Sequence, residues 1–274
     1  YYSRIAGADT LAQLFIRPRM ELLKKISNGR WGIIASEWSI LPPGDLINLD
    51  PAYTSISTDM AAAIHIAGMF GVFWQQGVMA AQYFELLGRG PKSREGEHFH
   101  LVSLTDEKKY VLNPTGEVFR LYGRYFRGDR LHVMVDSPSF IYRPFESDQE
   151  IKVPILLAHA AYEPQKKQMV VILSNRHQDA PAPFKLELAN FEPLAQEKIL
   201  KIVVSAKGPL SCEAVVTNES VELPVEENTN IQLPYAGGKW FSYQTIELPP
   251  HSVTALVIKG HQTSPKPRQS QKQE

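Results

Sequence analysis

The sequence has little of what marks several protein classes. A single cysteine, Cys212, excludes an intrachain disulfide and leaves the redox compartment open. Neither sign of charge dominates: 29 Lys and Arg balance 29 Asp and Glu, and the pI is near 7.3. Nothing in that balance argues for nucleic acid or an anionic membrane as partner. There is no long apolar run. The longest, around Ile64–Trp74, is broken by His65 and by small residues, too short for a bilayer span and suited to a buried helix. No internal repeat is found. The first residue is Tyr rather than Met, and no signal-peptide pattern follows. The opening Tyr1-Tyr2-Ser3 reads as the end of an element, so the expectation is a fragment that lacks its N-terminal part. Localisation, cytoplasmic or secreted, is left open.

What is present is enough apolar content for a sizeable core. The chain has 274 residues, 43% of them hydrophobic, and its length fits one or two domains. Two grammars divide it near Arg130. In the first part, Leu11, Leu14, Phe15, Leu22, Leu23 and Ile26 have helical spacing, with a kink expected at Pro18 and a C-cap at Asn28-Gly29. The run Trp31–Ser36 fits a strand buried on both faces, as in a parallel sheet. A Pro- and Asp-rich loop follows. Thr58 or Asp59 then caps a helix from Met60 to about Gln75, Gly77–Ala81 fits another short strand, and Thr115-Gly116-Glu117 opens a helix that runs to Phe126 and stops at Gly128. This is the α/β alternation of a parallel sheet or barrel, with too few βα units for a whole eight-stranded barrel of about 250 residues.

From Leu131 the pattern becomes short β-rich runs between Pro, Asn and Gly. They are Leu131–Val135, Met169–Leu173, Phe184–Leu188, Ile199–Val204 and Val253–Ile258. That is the pattern of an all-β sandwich. The final stretch, His261–Glu274, is Gln, Ser, Lys and Pro without apolar content and is expected to be disordered. The expected divisions are therefore 1–130, 131–260 and 261–274.

Glu37 is the first candidate for chemistry. A carboxylate directly after a buried strand, before Trp38 and a long loop, falls on the C-terminal rim of an α/β barrel, where active sites lie. Retaining glycosidases use one carboxylate as nucleophile and a second as acid/base, about 5–5.5 Å apart. Trp38 could supply an apolar platform for a sugar face. The plain alternative is a surface Glu paired with an Arg such as Arg30. His98 and His100 lack a metal-ligand context, and Trp74 fits packing.

Ile33-Ile34-Ala35-Ser36-Glu37-Trp38 resembles the strand of glycoside hydrolase family 51 α-L-arabinofuranosidases in which an Asp-Glu-Trp-Asn stretch carries the nucleophile. Asp59-Met60-Ala61 through Phe70 is similar to that family's next helix, and Val78–Tyr83 to its final barrel strand. Asn113-Pro114 through Tyr122, Gly128–Leu131 and Asp136-Ser137-Pro138 follow its last barrel helix and entry into the sandwich. Val153-Pro154, Ala158–Tyr162, Val170–Leu173 with Asn175-Arg176, and Leu248–Ser252 match its C-terminal domain. Ser36 and Ser39 depart from the usual Asp and Asn, and Gly88–His98 has no counterpart. Either departure points to a different substrate or a divergent subfamily.

The resemblance implies the C-terminal part of a TIM (β/α)8 barrel followed by a jelly-roll-like β-sandwich. It implies a retaining hydrolase that releases L-arabinofuranosyl residues from arabinose-containing oligosaccharide or polysaccharide, with Glu37 as nucleophile and no cofactor or metal. It puts Tyr2 where a tyrosine hydrogen-bonds the nucleophile and Gln82 where a glutamine contacts sugar. The acid/base glutamate lies on a barrel strand this chain does not include, so the chain alone is an incomplete catalytic unit. A homo-oligomer follows by family analogy only. Two other readings stay open: a β-xylosidase or endoglucanase with the same layout, and a non-catalytic carbohydrate-binding or packing module.

Overall fold

A computed structural model describes residues 1–38, 57–83, 86–87, 100–104, 108–144, 148–194, 197–228 and 240–263. The chain opens with a continuous helical rod. It comprises α1 (Tyr2–Thr10), a π-helical stretch (Leu11–Ile16) and α2 (Arg17–Ser27). The wider π turn comes just before Pro18, whose ring would clash with a carbonyl of the preceding turn and which has no N–H to give it. The helix is not broken at Pro18 but continues through it after this widened turn. Asn28 (φ 51°) and Gly29 (φ 76°) end α2 in the left-handed region, as the sequence predicts. Tyr2 differs from expectation: it begins α1 rather than ending an element.

The next three elements form a parallel βαβ unit. β1 (Ile34–Trp38) pairs with β2 (Ala80–Tyr83), and α3 (Met60–Gln76) connects them. The Asp59 carboxylate accepts from the Ala62 N–H at 2.9 Å at the start of α3, and Gly77 (φ 74°) closes it. Every residue from Met60 to Met69 is buried, because this part of α3 is enclosed by its neighbours on all sides. A hairpin of β3 (Val102–Leu104) and β4 (Tyr110–Leu112) leads into α4 (Pro114–Tyr125), capped by Asn113, which accepts from the Gly116 N–H. The parallel sheet among the described residues has two strands and is not a closed barrel.

The second part is mostly antiparallel sheet. Its large sheet contains β5 (Asp129–Arg130), β8 (Leu156–Glu163), β9 (Gln168–Asn175), β12 (Phe191–Pro193), β13 (Ile199–Ala206), β14 (Ala214–Val221) and β18 (Ser252–Gln262). The order is β14-β13-β18-β9-β8-β5, with β12 also on β18. Of three smaller sheets, β6 (Ser139–Tyr142) with β7 (Ile151–Pro154) packs on α1. The other two cover one face of the large sheet. They are β10 (Ala182–Phe184) with β17 (Ile246–Leu248), and β11 (Glu187–Ala189) with β16 (Trp240–Tyr243) and β15 (Val225–Asn228). Every residue of β9 is buried, and its alternation shows why. Val170 and Ile172 pack with Met60, Ile64, Val118 and Leu121 of the helices. Met169, Val171 and Leu173 pack with Leu188, Phe241 and Leu248 of the small sheets. The large sheet is therefore the middle layer, with one core against the helices and a second against the small sheets.

Four expectations need correction. The run Trp31–Ser36, expected as a strand buried on both faces, is strand only from Ile34. Trp31, Ile34 and Ser36 are exposed because, among the described residues, only the α3 side of β1 is covered. Leu131–Val135 is not a strand: the Leu131 N–H reaches the Ala160 carbonyl, then Met134 and Val135 run in solvent. Phe184–Leu188 breaks at Lys185-Leu186 into the ends of two strands that belong to different small sheets. His261 and Gln262 belong to β18, paired with Glu192 and Phe191, while residues 264–274 of the expected tail lie outside the described residues.

Candidate active site

The register of the parallel pair fixes where Glu37 faces. Ile34 lies opposite Ala80 and Ala35 opposite Ala81, but Tyr83 lies opposite Trp38. β1 therefore carries one extra residue, a β-bulge, and Ser36 with Glu37 stands against Gln82. Ala35 and Trp38 both pack inward beside Met69 and Phe73 of α3, so the two residues between them turn outward. Ser36, Glu37 and Gln82 are all exposed on that outer face, at the C-terminal end of both strands. The side chain of none of the three is hydrogen-bonded or ion-paired with another described residue. Arg30, the cation the sequence offered to Glu37, donates to the Ser27 carbonyl at 3.2 Å. The result is an exposed carboxylate flanked by a hydroxyl and an amide. Such a set can attack as an anion and exchange hydrogen bonds with a polyhydroxylated ligand.

No family model and no curated protein matches the sequence. Solved structures do. AbfB, a family 51 α-L-arabinofuranosidase from Bifidobacterium longum, superposes with a TM-score of 0.63 at 14% identity, over 93% of this chain and 48% of its own. The thermostable family 51 α-L-arabinofuranosidase from Thermotoga petrophila gives 0.56 at 14% identity, over 89% of this chain and 48% of its own. Cel44A, a family 44 endoglucanase from Clostridium thermocellum, gives 0.51 at 11% identity, over 93% of this chain and 40% of its own.

The fold is one that glycoside hydrolases share. The chain spans about half the length of the two arabinofuranosidases.

Within this fold the four residues singled out by sequence separate. Glu37 and Gln82 come together across the β1–β2 ladder. Trp38 turns to the opposite side. Its indole packs among Phe70, Phe73, Tyr83 and Phe119, with ring centroids 5.0–6.1 Å away, behind the face that carries Glu37. Tyr2 sits on the first turn of α1, edge-on to Tyr1 and, at 4.9 Å, to Phe140 of β6. Trp74 packs on Phe126, and His100 Nε2 lies 3.0 Å from the Ser103 hydroxyl. His98 and Ser39 lie outside the described residues. No group of three His, Cys, Asp or Glu suited to a metal occurs among the described residues.

Sequence reading missed the polar framework beneath the βαβ unit. The Ser57 carbonyl, just ahead of α3, accepts from the Thr115 hydroxyl at 2.8 Å. Asp59 pairs with Arg4 at 2.8 Å, joining α1 to the α3 N-terminus. Burial pushes the Asp59 carboxyl up, and Arg4 opposes the shift. Asp9 pairs with the buried Arg176 at 2.8 Å, joining α1 to the large sheet. Burial likewise raises Asp9 against the pull of Arg176. These partners are 55 and 167 residues apart in the chain, so no local motif announces them.

Proposed function

We propose that this chain is the nucleophile-bearing part of a retaining glycosidase of the α-L-arabinofuranosidase type. One observation carries the reading: an outward carboxylate, Glu37, on a bulge at the C-terminal end of a parallel strand, in a fold that glycoside hydrolases share. The proposed reaction is double displacement. The Glu37 carboxylate attacks the anomeric carbon, the aglycone leaves with a proton from an acid/base carboxylate, and water then cleaves the glycosyl ester. The proposal takes that acid/base, and the rest of a barrel, from the half of such enzymes that these residues do not cover. Gln82 is assigned a substrate hydrogen bond. The resemblance around Glu37 and the higher TM-score of the arabinofuranosidase favour this substrate over β-glucan.

The test is Glu37→Gln in the protein as its gene encodes it, assayed on an aryl α-L-arabinofuranoside. Loss of a positioned nucleophile removes roughly 5 kcal/mol or more of transition-state stabilisation. Turnover should collapse with the far-ultraviolet dichroism intact. Glu37→Gly with azide should yield a glycosyl azide of inverted configuration, which separates a nucleophile from an acid/base. A variant that keeps more than about a tenth of wild-type activity, a loss under about 1.4 kcal/mol, removes Glu37 from the role.

A further inference from the structure

We infer that the β-bulge adds a second substrate-facing group to the site, and that Ser36 binds a sugar hydroxyl beside Glu37. The inference rests on the glycosidase reading and extends it to a residue not assigned there. A regular strand alternates, so between an inward Ala35 and the next inward residue it presents one outward side chain. Here the next inward residue is Trp38, and the bulge presents two outward side chains opposite Gln82. Ser36 is exposed like Glu37, adjacent in sequence and on the same face. Its hydroxyl has no hydrogen-bond partner among the described residues. A hydroxyl both donates and accepts, as does the amide of Gln82, whereas the carboxylate only accepts. Together the three groups suit a sugar ring with a hydroxyl on the carbon next to its anomeric carbon. A carboxylate aimed at that carbon leaves the adjacent ring hydroxyl within reach of the residue beside it. Trp38 makes the arrangement durable. Its ring is fixed among four aromatic side chains, so the bulge cannot relax by turning Trp38 outward.

The experiment compares wild type and Ser36→Ala, in the protein as its gene encodes it, on aryl α-L-arabinofuranosides deoxygenated in turn at each ring hydroxyl. Loss of one neutral hydrogen bond should lower kcat/KM about tenfold on the full substrate. On one deoxy substrate the wild type should lose activity while Ser36→Ala loses no more. That coupling identifies the hydroxyl, and a merely structural role for Ser36 does not produce it. Equal losses for Ser36→Ala on every substrate, or activity within twofold of wild type on all, overturn the inference. Glu37→Gln runs alongside. If it keeps wild-type turnover, or if wild type cleaves no aryl glycoside, the glycosidase reading itself falls. If it is inactive while Ser36→Ala is unaffected, only the role of Ser36 falls.

Discussion

Acidification should weaken this fold at two sides of α3. His65, on α3, is buried against α1 and its Nδ1 lies 2.9 Å from the Arg4 carbonyl, so that nitrogen carries the proton and the neutral ring donates. His159, on β8, is buried against another side of α3, where a Cβ on Gly71 would fall within its ring. Burial, with a smaller push from Arg176, holds His159 down to about 3. Burial is also the main cause at His65, held at about 4, where the bond to Arg4 pulls the other way. In the unfolded chain both imidazoles titrate near 6.5. Below that pH the unfolded chain takes two protons that the folded chain refuses, so stability is present above pH 6.5 and is lost as the pH falls. Each ring contributes a slope of about 1.4 kcal/mol per pH unit. From pH 7 to 5 the two together remove about 4 kcal/mol, a large share of the 5–15 kcal/mol typical of a domain. Asp9 and Asp59 oppose this, since their raised carboxyls bind protons earlier in the folded state than in the unfolded one. The variants isolate the histidines from that opposing effect. Urea midpoints followed by circular dichroism at pH 7 and 5 should show the drop, and His159→Leu should remove about half of it. A drop of the same size in both His159→Leu and His65→Gln would refute the assignment.

Three further outcomes follow from the framework. Asp9→Asn strands the buried Arg176 guanidinium and should cost about 3–5 kcal/mol, measured as a urea midpoint, with Asp9→Leu/Arg176→Met recovering most of it. Gly71→Ala drives a methyl into the His159 ring and should cost about 3 kcal/mol alone, yet add little to His159→Ala in a double-mutant cycle. Asp59→Ala removes both the α3 cap and the Arg4 pair, and should lower stability by about 2–3 kcal/mol in thermal unfolding.

What sequence could and could not reveal follows the range of the forces involved. Caps are local: Asn28-Gly29 and Asp59 are set by residues within one turn and are legible outright or to within a choice of two. Gly77, expected to open a strand, instead closes α3, and the strand starts at Ala80. The buried runs Met169–Leu173, Ile199–Val204 and Val253–Ile258 announce themselves because a central strand must be apolar on both faces. Leu131–Val135 misleads because alternation records which side chains seek the core, and Leu131 and Val133 do find it, without recording whether a partner strand exists. Tyr1-Tyr2 is too short to carry any period, and the helix that follows is admitted by small residues such as Gly7, against which His65 packs. The site divides in the same way. Glu37 is visible from its own strand. Its direction is not, because the bulge is a mismatch between Ala35–Trp38 on one strand and Ala81–Tyr83 on another, with α3 between them in the chain. An unbulged reading of Ala35-Ser36-Glu37-Trp38 puts Glu37 with Ala35 in the core and Trp38 outside. The aromatic cluster around Trp38 decides otherwise. Burying an indole among four rings outweighs keeping one strand regular, and the carboxylate faces outward as a consequence.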